Sequence, residues 1–395
     1  MKNTKVAITG CGVIGRTHAA ALKEFPETTI VALIDAIPEA AEKLAAFIAE
    51  SGRPRLAIYT TIPEALAAED IDLVALATPS GLHIQHALEV LSAGKHVVIE
   101  KPLDVDLSRA QDIEAAAQEA AKKGVVASVI SQHRFDQASV AVADAVSGER
   151  FGRLTSAIAS VAWWRSQGYY DSGDWRGTWA MDGGGALMNQ GVHTADLLLW
   201  YMGRPVEINA HTALLAHERI EVEDTAVATV TFENGGLAVL HATTAAYPGL
   251  TVRLQLMGSK GSAVIDNDLL QYFHAADASS EASNMGLQGG GNQAEEELAK
   301  YPAEDYEAKD PTVYPAGHVR QYRDILGAIA EGRAPRVTVS DAVNALATVR
   351  AVYASATLGK PVLFDDVLAG KYNGLEVRTG SDTGSPAADT SKESV

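Results

Sequence analysis

Short apolar runs alternate with helix-forming stretches through the first third of the chain, and this alternation constrains the fold most strongly. The runs are continuously apolar, which is typical of strands buried on both faces. Strands that alternate with helices build a parallel sheet with helices on both sides. The sequence therefore predicts a doubly wound α/β domain of the Rossmann type over residues 1–130. Its strands are expected at 5–9, 30–34, 73–77, 96–99 and 125–130.

The pattern changes after about residue 150, where strand-like runs follow one another with little helix between them. The pair Asn234-Gly235 between two such runs is typical of a hairpin turn. This predicts an α+β domain over residues 131–374 with a large open, mostly antiparallel sheet. Its strands are expected at 155–162, 207–213, 225–233, 237–244, 251–258 and 262–266, and its helices at 194–202, 319–331 and 341–359.

Two segments have compositions that do not favour a packed core. Residues 275–310 contain three consecutive glycines, three consecutive glutamates and few large apolar side chains, and they are predicted to form a long surface loop. Residues 375–395 are rich in small and polar residues and are predicted to be a disordered tail.

The composition excludes several classes of partner. The 395 residues carry 32 Lys and Arg against 50 Asp and Glu, a formal net charge of −18. Such a surface repels nucleic acid and anionic lipid, so we expect neither as a partner. No apolar run reaches the ~20 residues of a membrane helix. Cys11 is the one cysteine and cannot form an intrachain disulfide, which favours the cytoplasm.

A glycine motif, G-x-G-x-x-G, follows the first predicted strand and opens a helix at residues 10–15. In such motifs the first glycine makes a tight turn, the second lets a pyrophosphate approach and the third lets the helix pack on the strand. Asp35 ends the second predicted strand, where a carboxylate for the ribose hydroxyls is expected. No cation for a 2′-phosphate follows it, so NAD is predicted rather than NADP. The predicted contacts are Gly10, Gly12, Val13, Ile14, Gly15 and Asp35; the alternative is a tight turn without a ligand.

Lys101 is the first candidate for chemistry, because it directly follows the fourth predicted strand in Glu100-Lys101-Pro102. Ligands of doubly wound sheets bind at the carboxyl ends of the strands, so Lys101 is predicted to face the nicotinamide. A partly buried lysine has a lowered pKa and can exchange a proton with a substrate hydroxyl. An ordinary surface lysine is the alternative.

A second candidate cluster follows the three glycines at 183–185. Asn189 and His193 are four residues apart, so a helix that begins there shows both on one face. Asp196 is expected to hold the other imidazole nitrogen of His193. Three glycines permit a close backbone approach or a strained turn. The alternative for His193 is a purely structural histidine.

Six aromatic residues lie between positions 163 and 179. We expect part of them in the core and part as an apolar wall against the C–H face of a sugar or cyclitol, with Arg165 and Gln132 among the hydroxyl partners. The predicted substrate-binding residues are Lys101, His133, Trp163, Arg176, Asn189, His193 and His318. The histidines show no paired spacing of a metal site, so no metal is predicted.

Together, the glycine motif, Glu100-Lys101-Pro102 and the segment from Gly183 to His193 resemble the glucose–fructose oxidoreductase/inositol dehydrogenase/MocA (Gfo/Idh/MocA) family over nearly the whole chain. The resemblance implies a Rossmann domain and an open sheet that packs sheet to sheet in homodimers or homotetramers. It implies nicotinamide-dependent chemistry at a sugar or cyclitol carbon, with Lys101 and His193 as catalytic residues. It also implies a cis peptide before Pro102.

The resemblance adds further cofactor contacts and one departure. The added contacts are Thr78, Ser80, His83, Glu100, Lys101, Trp175 and Arg176. The family often has an aspartate four residues before the histidine, where this chain has Asn189. An amide orients a hydroxyl or the lysine but does not carry a charge.

The sequence therefore predicts an NAD-dependent dehydrogenase that oxidises a secondary hydroxyl of a neutral pyranose such as levoglucosan, giving a keto sugar. A neutral ring is preferred because no arginine cluster for a phosphate is evident in the second domain. Oxidation of myo- or scyllo-inositol is the alternative reaction, since the chain resembles the levoglucosan and inositol dehydrogenase branch. A non-catalytic dinucleotide-sensing regulator is the alternative of another class, and the presence of both Lys101 and His193 favours the enzyme.

Overall fold

The computed structural model of this protein describes residues 3–49, 56–276, 291–302 and 315–379. Its strands are β1 (Thr4–Thr9), β2 (Thr28–Ile34), β3 (Ala57–Tyr59), β4 (Leu73–Leu76), β5 (His96–Ile99), β6 (Ala127–Val129), β7 (Leu154–Ala162), β8 (Pro205–Ala213), β9 (Thr225–Phe232), β10 (Leu237–Thr243), β11 (Val252–Gly258), β12 (Gly261–Asp266), β13 (Leu269–Ala275) and β14 (Val362–Leu363). Its helices are α1 (Val13–Leu22), α2 (Pro38–Ala49), α3 (Ile62–Ala68), α4 (His83–Ser92), α5 (Ala110–Ala121), α6 (Gln137–Ser147), α7 (Gln167–Tyr170), α8 (Val192–Met202), α9 (Ala294–Leu298), α10 (Ala316–Glu331), α11 (Val339–Leu358) and α12 (Phe364–Leu368).

The first sheet has six parallel strands in the order β3-β2-β1-β4-β5-β6. The strand order reverses between β1 and β4, which opens a ligand crevice at their carboxyl ends. This confirms the predicted doubly wound sheet. The sequence analysis missed β3, because a half-buried strand of three residues carries too short an apolar pattern.

The second sheet has eight strands in the order β13-β12-β11-β7-β10-β9-β8-β14 and confirms the predicted open, mostly antiparallel sheet. The strands β7 and β10 are the parallel neighbours, and the β9–β10 hairpin turns at Gly235, whose φ is +80°. One face packs on α8 and α11. The other face is exposed and carries apolar side chains of three neighbouring strands, Ile158, Val227 and Val239.

Helix α10 joins the two parts of the chain. Its residues Val319, Tyr322 and Ile325 belong to the same apolar cluster as Ile8 and Leu22 of the first sheet and of α1. A C-terminal helix therefore helps to build the first core. The division between the two domains at residues 130 and 131 stays a prediction.

The long loop predicted over residues 275–310 is wrong in one stretch. Residues 294–298 form α9, and Glu297 is 2 % exposed because both of its carboxylate oxygens bind Arg150, at 2.6 and 2.7 Å. The predicted disordered tail, residues 375–395, is also wrong at its start, because the Thr379 hydroxyl donates a hydrogen bond of 2.6 Å to the Glu221 carbonyl oxygen. Residues 277–290, 303–314 and 380–395 lie outside the described residues. None of the described helices combines the length and apolar character that a membrane crossing requires.

The three motif glycines between β1 and α1 meet different surroundings. Gly10 has a φ of +89°, and a Cβ there would lie 2.4 Å from the Ala77 carbonyl oxygen. A Cβ on Gly15 would lie 2.1 Å from the Gly10 carbonyl oxygen. A Cβ on Gly12 would meet nothing within 4 Å. Gly10 and Gly15 are therefore required by the fold, whereas Gly12 faces an open groove.

This contrast makes Gly12→Ala and Gly15→Ala a matched pair of variants. Gly15→Ala is expected to lose about 1–3 kcal/mol of unfolding free energy or more, because its Cβ overlaps main chain. Gly12→Ala is expected to lose no more than about 1 kcal/mol, the cost of a poorer helix cap, and to weaken NAD binding instead. Thermal unfolding without cofactor and an NAD titration measure the two effects. Equal destabilisation by both variants would contradict the assignment of Gly12 to the ligand groove.

Candidate active site

Main-chain groups and one carboxylate form a cradle at the start of α1. The Asp35 carboxylate accepts hydrogen bonds from the main-chain N–H groups of Cys11, at 2.7 Å, and Ile37, at 2.9 Å. The first residues of α1, Val13 and Ile14, are 75 % and 42 % exposed. Free amides and the dipole at a helix N-terminus favour phosphate, and the carboxylate can accept from ribose hydroxyls. These residues therefore fit a dinucleotide.

The loop after β4 is fixed from behind by His83. The ring of His83 is 1 % exposed, and its two nitrogens lie 2.8 Å from the carbonyl oxygens of Thr78 and Pro102. The prediction that His83 contacts the cofactor is therefore corrected: its ring ties the loop after β4 to the loop after β5. Thr78 and Ser80 are partly exposed on this loop, so they keep their predicted role.

Glu100 is also buried, at 5 % exposed. One oxygen of its carboxylate lies 3.1 Å from His18 Nε2 and 2.9 Å from His318 Nε2, and the other accepts from the Lys101 main-chain N–H. These imidazoles hold the pKa of Glu100 well below its usual range, although burial opposes this. The side chains of Glu100 and His318 thus bind each other, and the predicted contacts of Glu100 with cofactor and of His318 with substrate stay predictions.

A cis peptide bond joins Lys101 to Pro102, as expected from the family resemblance. Its Nζ donates a hydrogen bond of 3.4 Å to the main-chain oxygen of Asn189, which brings the two parts of the chain together. Burial lowers the pKa of Lys101, and the carboxylates of Glu100 and Asp182 act against this shift. The amine is thus poised to exchange a proton or to stabilise a negative oxygen.

His193 lies beside Lys101 and His133. The rings of His193 and His133 meet edge to face, with centroids 5.0 Å apart. Burial lowers the pKa of His193 well below its usual value, and the charges of Lys101 and His133 add to this. His193 is therefore a neutral imidazole at pH 7 and can accept a proton.

His133 has the opposite character. Its Nδ1 lies 2.8 Å from Asp136 and 3.2 Å from Asp268. Burial opposes its charge, but the hydrogen bonds to the two carboxylates raise its pKa to about 10. The site thus pairs a neutral imidazole with an imidazolium. Asp268 was missed in the sequence because it comes from the β12–β13 turn, far along the chain and without a motif.

Asp196 does not hold His193, and that prediction is wrong. Its carboxylate accepts hydrogen bonds from Arg134, at 2.6 and 2.7 Å, and from the Ser131 hydroxyl. A guanidinium that binds both carboxylate oxygens outcompetes a single imidazole N–H. Residue spacing showed only that Asp196 could reach the imidazole of His193. It did not show that Arg134, which lies in a 3-10 turn after β6, binds Asp196 instead.

Asn189 lies in a π-helical turn at Leu187–Gly191, and α8 begins after it. The segment from Asn189 to His193 is thus helical, as predicted, but it begins as a π-helical turn; that the two side chains share one face stays a prediction. Turns of this kind are frequent at functional sites. Here the turn brings the main-chain oxygen of Asn189 to Lys101.

A buried carboxylate that the sequence analysis missed holds this turn. Glu223 accepts hydrogen bonds from the N–H groups of Gly185 and Leu187, both at 2.9 Å, and from the Tyr353 hydroxyl at 3.0 Å. A Cβ on Gly184 would lie 2.2 Å from the Tyr353 hydroxyl. Burial raises the pKa of Glu223 to about 7. The glycines therefore permit a close approach to these protein groups, which is one of the two readings left open in the sequence.

The aromatic segment forms a wall with two arginines in it. The Arg165 guanidinium lies over the rings of Trp163 and Tyr169, with its carbon 4.9 and 5.3 Å from their centroids. Arg176 lies over Tyr169 and Trp175, at 4.4 and 4.3 Å. Within the described residues neither arginine forms an ion pair, and the buried Nε of Arg165 has no hydrogen-bond partner. The roles of Trp163, Trp175 and Arg176 in ligand binding stay predictions.

Two family models match the sequence of this chain. Residues 4–131 match the oxidoreductase family with an NAD-binding Rossmann fold, and residues 139–264 match the GFO/IDH/MocA C-terminal domain. The inositol 2-dehydrogenase of Rhizobium meliloti (strain 1021) is 27 % identical over 267 residues, which are 67 % of this chain and 76 % of that protein.

Solved structures show the same architecture. The WlbA dehydrogenase from Bordetella pertussis, in complex with NADH and UDP-GlcNAcA, has a TM-score of 0.77 and 29 % identity, covering 92 % of this chain and 98 % of that one. Levoglucosan dehydrogenase, in complex with NADH and levoglucosan, has a TM-score of 0.75 and 22 % identity, covering 92 % and 100 %, and shows the shared fold. The chain belongs to the GFO/IDH/MocA family of NAD-binding oxidoreductases.

Proposed function

We propose that this enzyme is an NAD-dependent dehydrogenase that oxidises a secondary hydroxyl of a neutral pyranose such as levoglucosan to a keto sugar. The observation that carries the proposal is the contact of Lys101 with the Asn189 turn beside His193, at the carboxyl ends of the strands that also hold the glycine loop. Burial lowers the pKa of Lys101, which favours proton exchange near pH 7, and it lowers the pKa of His193, so that this imidazole is neutral before reaction.

The chemistry divides between the two residues. His193, a neutral imidazole, accepts the proton of the substrate hydroxyl. Lys101 donates a hydrogen bond to the same oxygen and stabilises the negative charge that develops there. When bound, NAD would supply the hydride acceptor, and the glycine loop with Asp35 would hold it. The imidazolium of His133 lies against the ring of His193 and keeps it unprotonated before reaction.

The wall of Trp163, Tyr169 and Trp175 supports a ring substrate, because aromatic faces suit the C–H face of a pyranose, while Asn189 and Arg165 can bind its hydroxyls. Myo- or scyllo-inositol is the second candidate substrate, and the likeness to an inositol 2-dehydrogenase favours it. Because Arg165 and Arg176 are cations that could bind a carboxylate, both candidate substrates must be compared with a carboxylate-bearing sugar.

A substrate panel with Lys101→Ala and His193→Ala tests the reaction. NAD reduction is followed by absorbance with levoglucosan, other neutral pyranoses, the two inositols and hexuronates. Each variant is expected to lose ~10²–10⁴-fold in kcat, as loss of a general acid or base does, while the Kd for NAD changes little. Near-normal kcat in Lys101→Ala would remove Lys101 from the chemistry. NAD binding without turnover of any panel member would favour the dinucleotide-sensing regulator.

Cofactor choice rests on Asp35, and we propose NAD rather than NADP. In Asp35→Ser with Ala36→Arg, the charge that repels a 2′-phosphate is removed and a cation is added, so the ratio of kcat/KM for NADP to that for NAD is expected to rise. NAD binding is expected to weaken by about 10–100-fold, because charge-assisted hydrogen bonds are lost. Asp35→Asn is the control that keeps the shape. A wild-type preference for NADP would contradict the proposal.

We further propose a homodimer or homotetramer that associates through the exposed face of the second sheet, in the cytoplasm. A row of exposed apolar side chains on paired strands is unusual for a solvated face. Val227→Lys together with Val239→Lys is expected to give monomers in light scattering, because two buried charges per face destabilise the contact. Ser262→Lys on β12, a strand that pairs with none of the three strands of this row, is the control. An unchanged mass in the double variant would place the interface elsewhere.

A further inference from the structure

Two carboxylates converge on one ring nitrogen of His133. Its Nδ1 lies 2.8 Å from Asp136 Oδ2 and 3.2 Å from Asp268 Oδ1, which comes from the turn between β12 and β13. Carboxylates only accept hydrogen bonds, so Nδ1 carries a hydrogen. Asp136 shares its charge with Arg320 of α10, which binds its other oxygen. Asp268 therefore supplies a second negative charge that Asp136 alone does not provide.

The other ring nitrogen of His133, Nε2, is left for a ligand. No residue that the structure describes forms a hydrogen bond with it, and the side chain is 29 % exposed. The ring meets that of His193 edge to face, with centroids 5.0 Å apart. The two nitrogens of an imidazole face different directions, so Nε2 does not compete for the carboxylates. A substrate that reaches His193 is thus within reach of the His133 ring.

The charge of His133 decides what Nε2 can do. With a hydrogen fixed on Nδ1, Nε2 accepts a hydrogen bond when the ring is neutral and donates one when the ring is an imidazolium. Burial opposes the charged ring, but the hydrogen bonds to both carboxylates raise the pKa of His133 to about 10. Within the described chain, the charged or titratable groups around the ring are Asp136, Asp268 and His193, with Arg320 behind Asp136.

We propose that Asp268 is a positioning residue that, together with Asp136, holds His133 as an imidazolium, so that its Nε2–H is a permanent donor to a substrate oxygen beside the carbon that is oxidised. This proposal rests on the proposed function, because the substrate hydroxyl that loses its proton is placed on His193. The two imidazoles then bind neighbouring oxygens of one ring, with His193 as the acceptor and His133 as the donor.

A donor that never loses its hydrogen selects the substituent on the neighbouring carbon. A hydroxyl and an ether oxygen both accept from it, whereas a deoxy position offers no acceptor. An amino group that is charged at neutral pH is repelled by the imidazolium. The substrate class that follows is a ring with an oxygen substituent, not an amine, beside the reacting carbon.

Asp268→Asn removes the charge with little other change. Asp268 has a φ of +64°, a conformation that Asn adopts as readily as Asp. Its side chain is 47 % exposed, so the new amide is not confined to the core. The matched control is Asp266→Asn on β12 of the same hairpin, whose carboxylate accepts from Arg253 Nε at 2.8 Å.

The charge of His133 is measured by NMR of the histidine rings in the protein with NAD, using His133→Gln for assignment. The wild-type ring is expected to be charged at pH 8. Asp268→Asn is expected to lower the pKa of His133 toward the ordinary value of about 6.5, because one of two anions is lost, and Asp266→Asn to leave it unchanged. A neutral wild-type ring at pH 8, or a pKa that Asp268→Asn does not lower, overturns the proposal.

Turnover of the substrate found in the panel supplies the second readout. At pH 6, where His133 is still charged in Asp268→Asn, KM is expected to stay within a few fold of the wild type. Above the lowered pKa, KM is expected to rise about tenfold, the difference between a charged and a neutral hydrogen bond, while kcat changes less. Discrimination against an analogue with an amino group on the neighbouring carbon is expected to relax in the same pH range.

The two proposals fail in different ways. If no panel member is oxidised, the proposed function fails, whereas the NMR measurement still decides the role of Asp268. If turnover is found but KM rises equally at every pH, or Asp266→Asn has the same effect, Asp268 has only a structural role and the proposal is overturned. If Asp268→Asn does not fold, the charge of the wild-type His133 ring at pH 8 decides.

Discussion

One buried carboxylate, that of Glu100, fixes the relation between cofactor cradle and catalytic residues. It stands at the end of β5, and one of its oxygens lies 3.1 Å from His18 Nε2 of α1 and 2.9 Å from His318 Nε2 of α10, while the other accepts from the main-chain N–H of Lys101. His18 is tied in turn to the Tyr322 hydroxyl at 2.7 Å. An isolated carboxylate at this depth would cost several kcal/mol, so both imidazoles are needed to hold it charged. The helix of the glycine loop, the lysine and the C-terminal helix thus form one unit.

A second buried carboxyl group, that of Glu223, fixes the turn that forms the other half of the site. Glu223 binds two main-chain N–H groups at the start of the π turn that carries Asn189. Gly184 packs against Tyr353 and Gly185 against Glu223, which leaves the turn no room to shift, since a Cβ on Gly185 would lie 1.7 Å from the Glu223 carbonyl oxygen. The two halves meet where Lys101 reaches the Asn189 main-chain oxygen. The geometry of the candidate site is therefore set by two buried carboxyl groups, one beside each sheet.

The elements that depend on a local sequence pattern were predicted from the sequence. The side-chain contacts that depend on residues distant in the chain were missed. Five of the six strands of the first sheet, the hairpin at Gly235, the glycine loop and Asp35 follow from periodicity and motif. The roles of His83 and Asp196 were misjudged because each partner, such as Arg134 for Asp196, comes from another element. Asp182, Glu223 and Asp268 carry no motif at all. A carboxylate's role depends on which donors the fold brings to it, and a single sequence does not contain that information in local form.

The two arginines of the aromatic wall, Arg165 and Arg176, show how cations are kept free of ion pairs with the described residues in an acidic chain. With 50 acidic against 32 basic residues, a carboxylate would be the common partner for any arginine. Arg165 and Arg176 instead lie over aromatic rings, where the cation is attracted to the ring face and most of its N–H donors stay free. Tyr169 stands between both and anchors Arg176 through its hydroxyl at 2.9 Å. Stacking thus holds the donors in place without neutralising them, so they remain available to a ligand's oxygens despite the protein's net charge.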